Sequence, residues 1–563
     1  MSEKILTVAQ MRALEDAAIA SGTVTGLELM ERAGAGAVDA ILAKWPELGP
    51  GSRAVVLFGP GNNGGDGFVV ARLLHERGWR VDCYLYGDVE RLPPDAKVNL
   101  ERFNAIRPVA SLGFPTLELS PTRKFINDVM GNPESKTLPP AGPIDLWVDA
   151  VFGTGLRRPL DETFLNVLLQ SVMPDGDLYP KLADTPKFVA LDVPTGFDAD
   201  TGRFFNGAYE VHLCIAFHRA KVGHYLDTMP LAIRKLVTVD LGLGDDWSTS
   251  TRTTIVTRPD NGEGWIPTDV YRWPGKAKTP RHQFGIKTSD RTGGIHKFDH
   301  GHALVLAGGV GRGGAGRLAA RAALRIGAGL VTLAPPPAAL IENACRLDAI
   351  MLRAVRDAEA LAELLEDDRI NALCLGPGLG TGVREASLVR AAISSGRLAV
   401  LDGDALTLLA ADDTLRGALH KDCVLTPHMG EFARLAPDLA ERLTAPAGRA
   451  AVYSKLDAAR DLAARLGVTV LLKGADTVIA RPDGRAAIHA AAYGREAPWL
   501  ATAGAGDVLA GLIAGLLARG FEPMQACEAA AWLHVEAART FGPGLIAEDL
   551  PETIPAVLRA LEA

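Results

Sequence analysis

Two glycine-rich strings, far apart in the chain, carry residue types that handle anions. The first, Gly59-Pro60-Gly61-Asn62-Asn63-Gly64-Gly65-Asp66-Gly67, follows the apolar run Ala54-Val55-Val56-Leu57-Phe58. The second, Thr502-Ala503-Gly504-Ala505-Gly506-Asp507, opens an apolar helix that runs on from Val508. Glycine lets backbone N–H groups approach an anion closely, and a helix start adds a favourable partial charge. The carboxylates around the two strings differ, which implies two active sites in one chain.

The first string lacks a Walker lysine and does not have the dinucleotide spacing, so it is neither a P-loop nor that fingerprint. Two more strand ends carry chemistry: Asp149-Ala150-Val151-Phe152-Gly153-Thr154-Gly155 and Asp192-Val193-Pro194-Thr195-Gly196. The carboxyl ends of parallel strands line a ligand crevice, so these loops can converge. Any one segment alone is as consistent with a plain turn; three at three strand ends argue for a site. Asn63, Asp149 and Thr195 offer oxygen ligands suited to a hard cation. Asp192, held in a turn by its neighbouring Pro and Gly, is the best acid/base candidate. Lys221, in His218-Arg219-Ala220-Lys221-Val222-Gly223, reads as an ordinary solvated lysine rather than a phosphate ligand.

In the second string Asp507 falls in the first turn of its helix. There a carboxylate can take a proton from a hydroxyl that attacks a phosphate while the free N–H groups bind developing charge. The plain alternative is an acidic residue satisfying a helix dipole. The neighbouring strings weigh against it: Gly308 to Ala315, Leu375-Gly376-Pro377-Gly378-Leu379-Gly380, Leu425-Thr426-Pro427-His428-Met429-Gly430-Glu431 and Leu472-Lys473-Gly474-Ala475-Asp476-Thr477. His428, after a strand and before Gly430-Glu431, reads as functional.

The elements that must position these residues are α/β. The 563-residue length exceeds one ordinary core and predicts two large domains. Residues 7–44 read as helix, followed by a strand at 54–58, the glycine loop, a helix near 66–77 and a strand at 81–86. Strands at 146–148, 188–191, 212–215 and 236–239 continue a parallel sheet, with 111–143 an irregular insertion. A polar, turn-rich stretch, 245–299, precedes a second series: strands at 302–306, 330–333, 372–375, 398–401 and 423–425, a helix at 315–326, and two short strands within 468–480. The hydrophobic fraction of 48% and charged fraction of 22% are those of a globular protein, and the net charge of −8 opposes nucleic-acid binding. Neither a membrane span nor a signal peptide is expected. The six scattered cysteines read as free core thiols of a reducing cytoplasm rather than disulfides or zinc ligands.

On the strings GNNGGDG, DAVFGTG and DVPTG, residues from about 5 to 243 resemble the NAD(P)H-hydrate epimerases of the YjeF N-terminal family. The resemblance implies a Rossmann-like three-layer domain. It also implies binding of the damaged cofactor NAD(P)HX by Asn62, Asn63, Gly64, Gly65, Asp66, Gly153, Thr154, Gly155, Leu156, Arg157, Arg158, Pro159 and Asp192, with K+ at Asn63, Asp149 and Thr195. Thr195 stands where members commonly have Ser; both offer a hydroxyl and a carbonyl. Residues 275–560 are similar to ADP/ATP-dependent NAD(P)H-hydrate dehydratases, of ribokinase-like α/β fold, on GAGLVTLA, GPGLG, LDGDAL, TPHMGEFARL, LKGADTVI and GAGDVLAG. That likeness implies hydrate contacts at Ala315, Gly378 and His428, and nucleotide contacts at Lys473, Gly474, Ala475, Asp476, Thr477 and Gly506. It places Asp507 at the reacting hydroxyl. Met429 replaces a frequent Pro, and Ala505 a frequent Thr or Ser; neither removes a reacting group.

Together the likenesses imply an epimerase domain at 1–243, a linker at 244–274 and a dehydratase domain at 275–563. The expected activity is interconversion of R- and S-NAD(P)HX and ADP-dependent dehydration of the S form with Mg2+. A cytoplasmic homo-oligomer that acts on small molecules, without nucleic acid or membrane, is expected. A kinase of a small alcohol or vitamin precursor is the enzymatic alternative, against which the fused epimerase argues. A non-enzymatic binding module would have lost its site groups, yet Asn63, Asp149 and Asp192 remain.

Overall fold

The computed structural model describes residues 3–106, 110–111, 144–160, 186–206, 209–244, 253–256, 296–445 and 453–562. The chain divides into two compact units, one built mainly from Ile5–Ser248, the other from Thr249–Ala445 and Tyr453–Ala563 with Met1–Lys4. Both are α/β, as the sequence implies.

β1 (Glu3–Ile5) belongs to the second sheet. The N-terminal unit holds β2 (Arg53–Phe58), β3 (Arg80–Leu85), β4 (Ala110–Ser111), β5 (Leu146–Ala150), β6 (Lys187–Leu191), β7 (Leu213–Phe217) and β8 (Leu236–Val239). Their order is β4-β3-β2-β5-β6-β7-β8, and every pairing is parallel. β2, β5 and β7 are buried along their whole length, which is why they read as unbroken apolar runs. The chain winds outward from β2 in one direction and from β5 in the other, so the carboxyl ends of these two strands form a switch-point crevice. The single helix expected over 7–44 is two, α1 (Val8–Ala20) and α2 (Gly26–Lys44). Gly22, at φ +72°, ends the first, and Thr25 caps the second with Glu28 closing a capping box. α3 (Asn62–Glu76) starts earlier than the expected 66, directly behind β2. Nearly all of the expected insertion at 111–143 lies outside the described residues.

The C-terminal unit has the order β1-β9-β18-β17-β16-β15-β14-β13-β10-β11-β12. Its further strands are β9 (Thr253–Ile255), β10 (His302–Leu306), β11 (Leu330–Ala334), β12 (Met351–Leu352), β13 (Ile370–Leu375), β14 (Leu398–Leu401), β15 (Cys423–Leu425), β16 (Thr469–Leu472), β17 (Asp476–Ala480) and β18 (Ala486–Ala490). The pairings from β12 through β16 are parallel; β16-β17-β18 is an antiparallel meander. A second switch point therefore falls between β10 and β13. β9 lies within the stretch expected to be linker, yet it pairs with β18 as part of the sheet. α4 (Gly313–Arg325), α5 (Asp404–Ala411), α6 (Met429–Leu435), α7 (Ala505–Ala518) and α8 (Pro523–Phe541) pack around it. α7 is apolar on all sides because it runs through the core. Gly511 brings it against α4: a Cβ there would stand 2.1 Å from the Ala319 carbonyl oxygen.

No helix among the described residues is long and apolar enough to cross a membrane. Five cysteines are buried free thiols; Cys345, expected in the core, is exposed, because it follows a short surface helix.

Candidate active sites

In the N-terminal unit the glycine string does something the sequence did not disclose. Added Cβ atoms would meet the Val151 carbonyl oxygen at 1.7 Å from Gly59, the Gly59 carbonyl oxygen at 2.1 Å from Gly64, Met30 at 2.5 Å from Gly65 and Ala150 at 2.5 Å from Gly67. Four of the five glycines are therefore demanded by protein packing. Only Gly61, which caps α3, faces open space, at the helix start that it shares with Asn62 and Asn63. Asn62 is exposed there.

Asp192 follows β6 at φ +62°, a conformation that L-residues rarely adopt. Its Oδ1 accepts from Lys221 Nζ at 2.8 Å and its Oδ2 from the Thr154 N–H at 3.3 Å. A Cβ on Gly153 would stand 3.1 Å from Asp192 Oδ2 and 3.2 Å from Asn63 Oδ1. Asn63, Gly153, Thr154 and Asp192 thus meet at the mouths of β2, β5 and β6. Lys221 is corrected here: it is 1% exposed, not solvated, because its ammonium finds an anionic partner in the core. Two other carboxyls join the cluster. Burial, then the nearby Asp192 and Glu15, push Asp66 well above the usual carboxylate range. Glu15, on α1, is also raised, chiefly by burial. Glu15 escaped the sequence reading because one acid on an amphipathic helix carries no signal.

Asp149, 1% exposed, is enclosed by neutral donors. Oδ1 accepts from the Thr195 hydroxyl at 2.7 Å and the Val151 N–H at 3.1 Å; Oδ2 accepts from the Thr195 N–H at 2.8 Å and the Tyr209 hydroxyl. Burial raises its pKa against those hydrogen bonds. Asn63 Oδ1 and Nδ2 are buried and have no protein partner. A buried carboxylate without a counter-charge, together with an unclaimed amide oxygen, fits a small monovalent cation. Further along the loop, Leu156 is a core side chain, while Gly155, Arg158 and Pro159 are exposed. Arg157 pairs with Asp198 at 3.5 Å and Asp200 at 3.7 Å.

The C-terminal site gathers around the start of α7. Gly504 caps that helix at φ +90°, and a Cβ there would collide with Leu318 and Ala547 at 2.8 and 2.9 Å. Burial first, then Asp402, push Asp507 up to about 6, with Lys473 opposing and Asp404 and Glu431 adding to the rise. Lys473 Nζ donates to Asp402 Oδ1 at 2.6 Å, where the Thr426 hydroxyl also donates at 2.8 Å. It lies 3.7 Å from Glu431 Oε2, and a Cβ on Gly506 would be 3.4 Å from it. Ala315 and Gly378 are neighbours, 3.2 Å apart by the same measure.

His428 is exposed and caps α6, its Nδ1 accepting from the N–H groups of Gly430 at 2.9 Å and Glu431 at 3.3 Å. That leaves the ring proton on Nε2, which lies 3.5 Å from Glu431 Oε1. In the loop after β16, the Thr477 hydroxyl donates to the Gly474 carbonyl at 2.7 Å and shapes the turn. Gly474 and Ala475 are exposed, and Asp476 accepts from Lys455 Nζ at 2.5 Å. Asp402, Asp404, Glu431 and Lys455 were missed. For Asp402 and Asp404 the signal was present, since Leu401-Asp402-Gly403-Asp404 is an acid–glycine strand end like those that flagged Asp149 and Asp192. Among the described residues no cluster of three or more His, Cys, Asp or Glu could hold a metal by itself. Asp402, Asp404 and Glu431 are hard oxygen donors, which suit Mg2+ carried by nucleotide phosphates.

A family model described as "YjeF-related protein N-terminus" matches residues 26–223, and one described as "NAD(P)H-hydrate dehydratase" matches residues 303–555. The bifunctional NAD(P)H-hydrate repair enzyme of Moorella thermoacetica is 31% identical over 577 residues, covering 99% of this chain and 97% of that protein. The NAD(P)H-hydrate epimerase of Rhodobacter capsulatus is 42% identical over 228 residues, 39% of this chain and 91% of that protein. Among solved structures, the ADP/ATP-dependent NAD(P)H-hydrate dehydratase of Bacillus subtilis, co-crystallised with ATP/Mg2+, is 25% identical at a TM-score of 0.39, covering 49% of this chain and 94% of that one.

Proposed function

Because the chain belongs to the family of bifunctional NAD(P)H-hydrate repair enzymes, we propose that its N-terminal unit interconverts R- and S-NAD(P)HX and that its C-terminal unit dehydrates the S form with ADP. The working division is 1–243 for the first activity and 275–563 for the second, with β9 of the intervening 244–274 contributing to the second sheet. Five buried free thiols suit a reducing compartment, the cytoplasm.

The substrate's chemistry dictates what each site must do. Water adds to the enamine double bond of a reduced nicotinamide with its oxygen on the carbon next to nitrogen, giving a hemiaminal. Epimerisation requires the carbon–oxygen bond to break and reform on the other face, which needs one group to give a proton and another to take one. Asp192 Oδ2, beside Gly153 and Asn63, would take a proton, and the raised Asp66 would give one. Asn63, Asp149 and Thr195 would hold K+, which would supply the counter-charge that Asp149 lacks.

Dehydration needs a better leaving group than hydroxide. Transfer of the terminal phosphoryl group of ADP to the ring hydroxyl leaves AMP, and loss of phosphate with a ring proton restores the double bond. Asp507 would take the hydroxyl proton, the α7 amides would bind the transferring group, and Lys473 to Thr477 with Gly506 would hold the nucleotide. Bound Mg2+ would offset phosphate charge. The observation that carries this reading is Asp507 in the first turn of α7, pushed up to about 6 by burial and then Asp402, with Lys473 and Glu431 also near.

The test uses the full chain and a chemically prepared mixture of the NADHX epimers with ADP, following recovery of reduced-nicotinamide absorbance and the two epimers by chromatography. Asp507→Asn should abolish dehydration and leave epimerisation near wild type. Asp192→Asn should consume the S form and strand the R form. Loss of both activities in either variant contradicts two independent sites.

A further inference from the structure

The buried ammonium of Lys221 has no place in the scheme above, and its surroundings say what it does. Nζ donates to Asp192 Oδ1 at 2.8 Å, to the Phe217 carbonyl at 2.9 Å and to the Arg219 carbonyl at 3.1 Å. An ammonium has three N–H bonds, and all three are used. None remains for a substrate hydroxyl or phosphate, so any role of Lys221 in the reaction passes through Asp192.

The main chain of the same turn grips Asp192 from the other end. His224 Nδ1 accepts the Lys221 backbone N–H at 2.9 Å, so Nε2 carries the ring proton and donates it to the Asp192 carbonyl oxygen at 2.8 Å. Burial, with Lys221 nearby, lowers His224 to about 4, which keeps this tautomer neutral at physiological pH. The turn is anchored in its own right: Leu6 N–H donates to the Ala220 carbonyl at 3.1 Å, and Val222 N–H to the Leu6 carbonyl at 3.0 Å. Asp192 N–H donates to the Ile215 carbonyl at 2.8 Å. These contacts hold Asp192 at φ +62°, a left-handed conformation that a non-glycine residue keeps only where its surroundings impose it.

We propose that Lys221 is a positioning residue of the N-terminal site: by occupying Oδ1 of Asp192, with His224 holding the carbonyl, it turns Oδ2 toward Gly153 and Asn63 as the working oxygen. The two carboxylate oxygens thereby have separate tasks, one structural and one chemical. This rests on the epimerase reading above and adds to it a residue that touches no substrate.

The experiment measures epimerisation of purified R-NADHX by the full chain without nucleotide. Lys221→Gln keeps hydrogen-bonding capacity and loses the charge; it should lower kcat on the order of 100-fold with KM within about threefold, because misaiming a reacting group by an ångström costs rate more than binding. Lys221→Arg, which keeps the charge, should recover at least tenfold over the Gln variant. A folded Lys221→Gln enzyme with kcat within threefold of wild type overturns the proposal. If that variant fails to fold, His224→Phe, which removes the donor on the Asp192 carbonyl, is assayed in its place. A kcat lowered at least tenfold with KM within about threefold supports the proposal, whereas a folded variant with kcat within threefold of wild type overturns it. Wild-type protein that does not epimerise R-NADHX defeats the underlying reading instead, an outcome visible before any variant is made.

Discussion

Asp149 and Asp192 are both aspartates at the end of a parallel strand, yet their partners give them different work. Asp192 has a buried cation on one oxygen, while the other, beside Gly153, accepts only a 3.3 Å bond from the Thr154 N–H. Asp149 has both oxygens filled by neutral donors and no charge to balance it. A monovalent cation shared with Asn63 would supply that balance, and it would stabilise the N-terminal unit by mass action. At 100 mM KCl, about a hundred times a millimolar affinity, the gain is about 2.7 kcal/mol, or roughly 5 °C in the unfolding transition of that unit. Calorimetry in KCl against tetramethylammonium chloride at equal ionic strength measures it, and Asn63→Ala should erase the difference. An equal response in that variant would remove Asn63 from the cation site. The strings around Asn63, Asp149, Asp192 and Thr195 were legible because Gly and Pro mark strand ends in any sequence. Tyr209, Glu15 and the burial of Lys221 were not, since a side chain's solvent exposure is decided by whatever the rest of the chain lays over it.

The elements were more legible than their edges. β8, β10, β14 and β15 fall where apolar runs place them, the other expected strands differ by a residue or two at their ends, and the short or edge strands β1, β4, β9, β12 and β18 were not expected. The break between α1 and α2 was written in Thr25 and Glu28, a capping pair hidden inside an alanine-rich amphipathic pattern. The glycine string after β2 shows the opposite limit: the residues announce close approach but not what approaches. Gly64 sits 2.1 Å, by its missing Cβ, from the Gly59 carbonyl, so Gly64→Ala forces the backbone of that turn apart. The cost should exceed 2 kcal/mol and lower the unfolding temperature of the N-terminal unit by roughly 5 °C or more. Gly61→Ala meets nothing within 4 Å, at an extended φ of −120°, and should leave the transition within about 2 °C. Should Gly64→Ala keep wild-type stability and lose only substrate affinity, the string would be a ligand cradle after all, as the sequence first suggested.

At the scale of the whole chain, the response to acid follows from opposed groups in the C-terminal core. Burial holds His302 and His534 neutral at about 4 and His489 at about 3, so the unfolded chain binds their protons first and stability falls as pH drops below about 6.5. Burial also raises Asp422 and Asp507 to about 6 and Glu528 to about 7. These folded pKa values exceed the unfolded ones, so their stabilising contribution is complete below about pH 4 and is lost as pH rises through about 6 to 7. Burial lowers His420 as well, so four histidines oppose three carboxyls across the same window and largely cancel, and the C-terminal unfolding temperature should move by only about 3–5 °C between pH 6.5 and 5. Asp507→Asn tilts this balance. At pH 8 it removes an ionised, half-buried carboxylate and should raise the transition by about 2–4 °C, roughly 1 kcal/mol after solvent screening. On acidification the variant has one proton acceptor fewer to offset the histidines, so its stability should fall more steeply toward pH 5 than that of wild type. Calorimetry of both proteins at pH 5, 6.5 and 8 decides the matter. A wild type that loses stability as steeply as Asp507→Asn would mean that the Asp507 carboxyl takes up no proton in the folded state, and with that the case for it as a base poised near neutrality would fail.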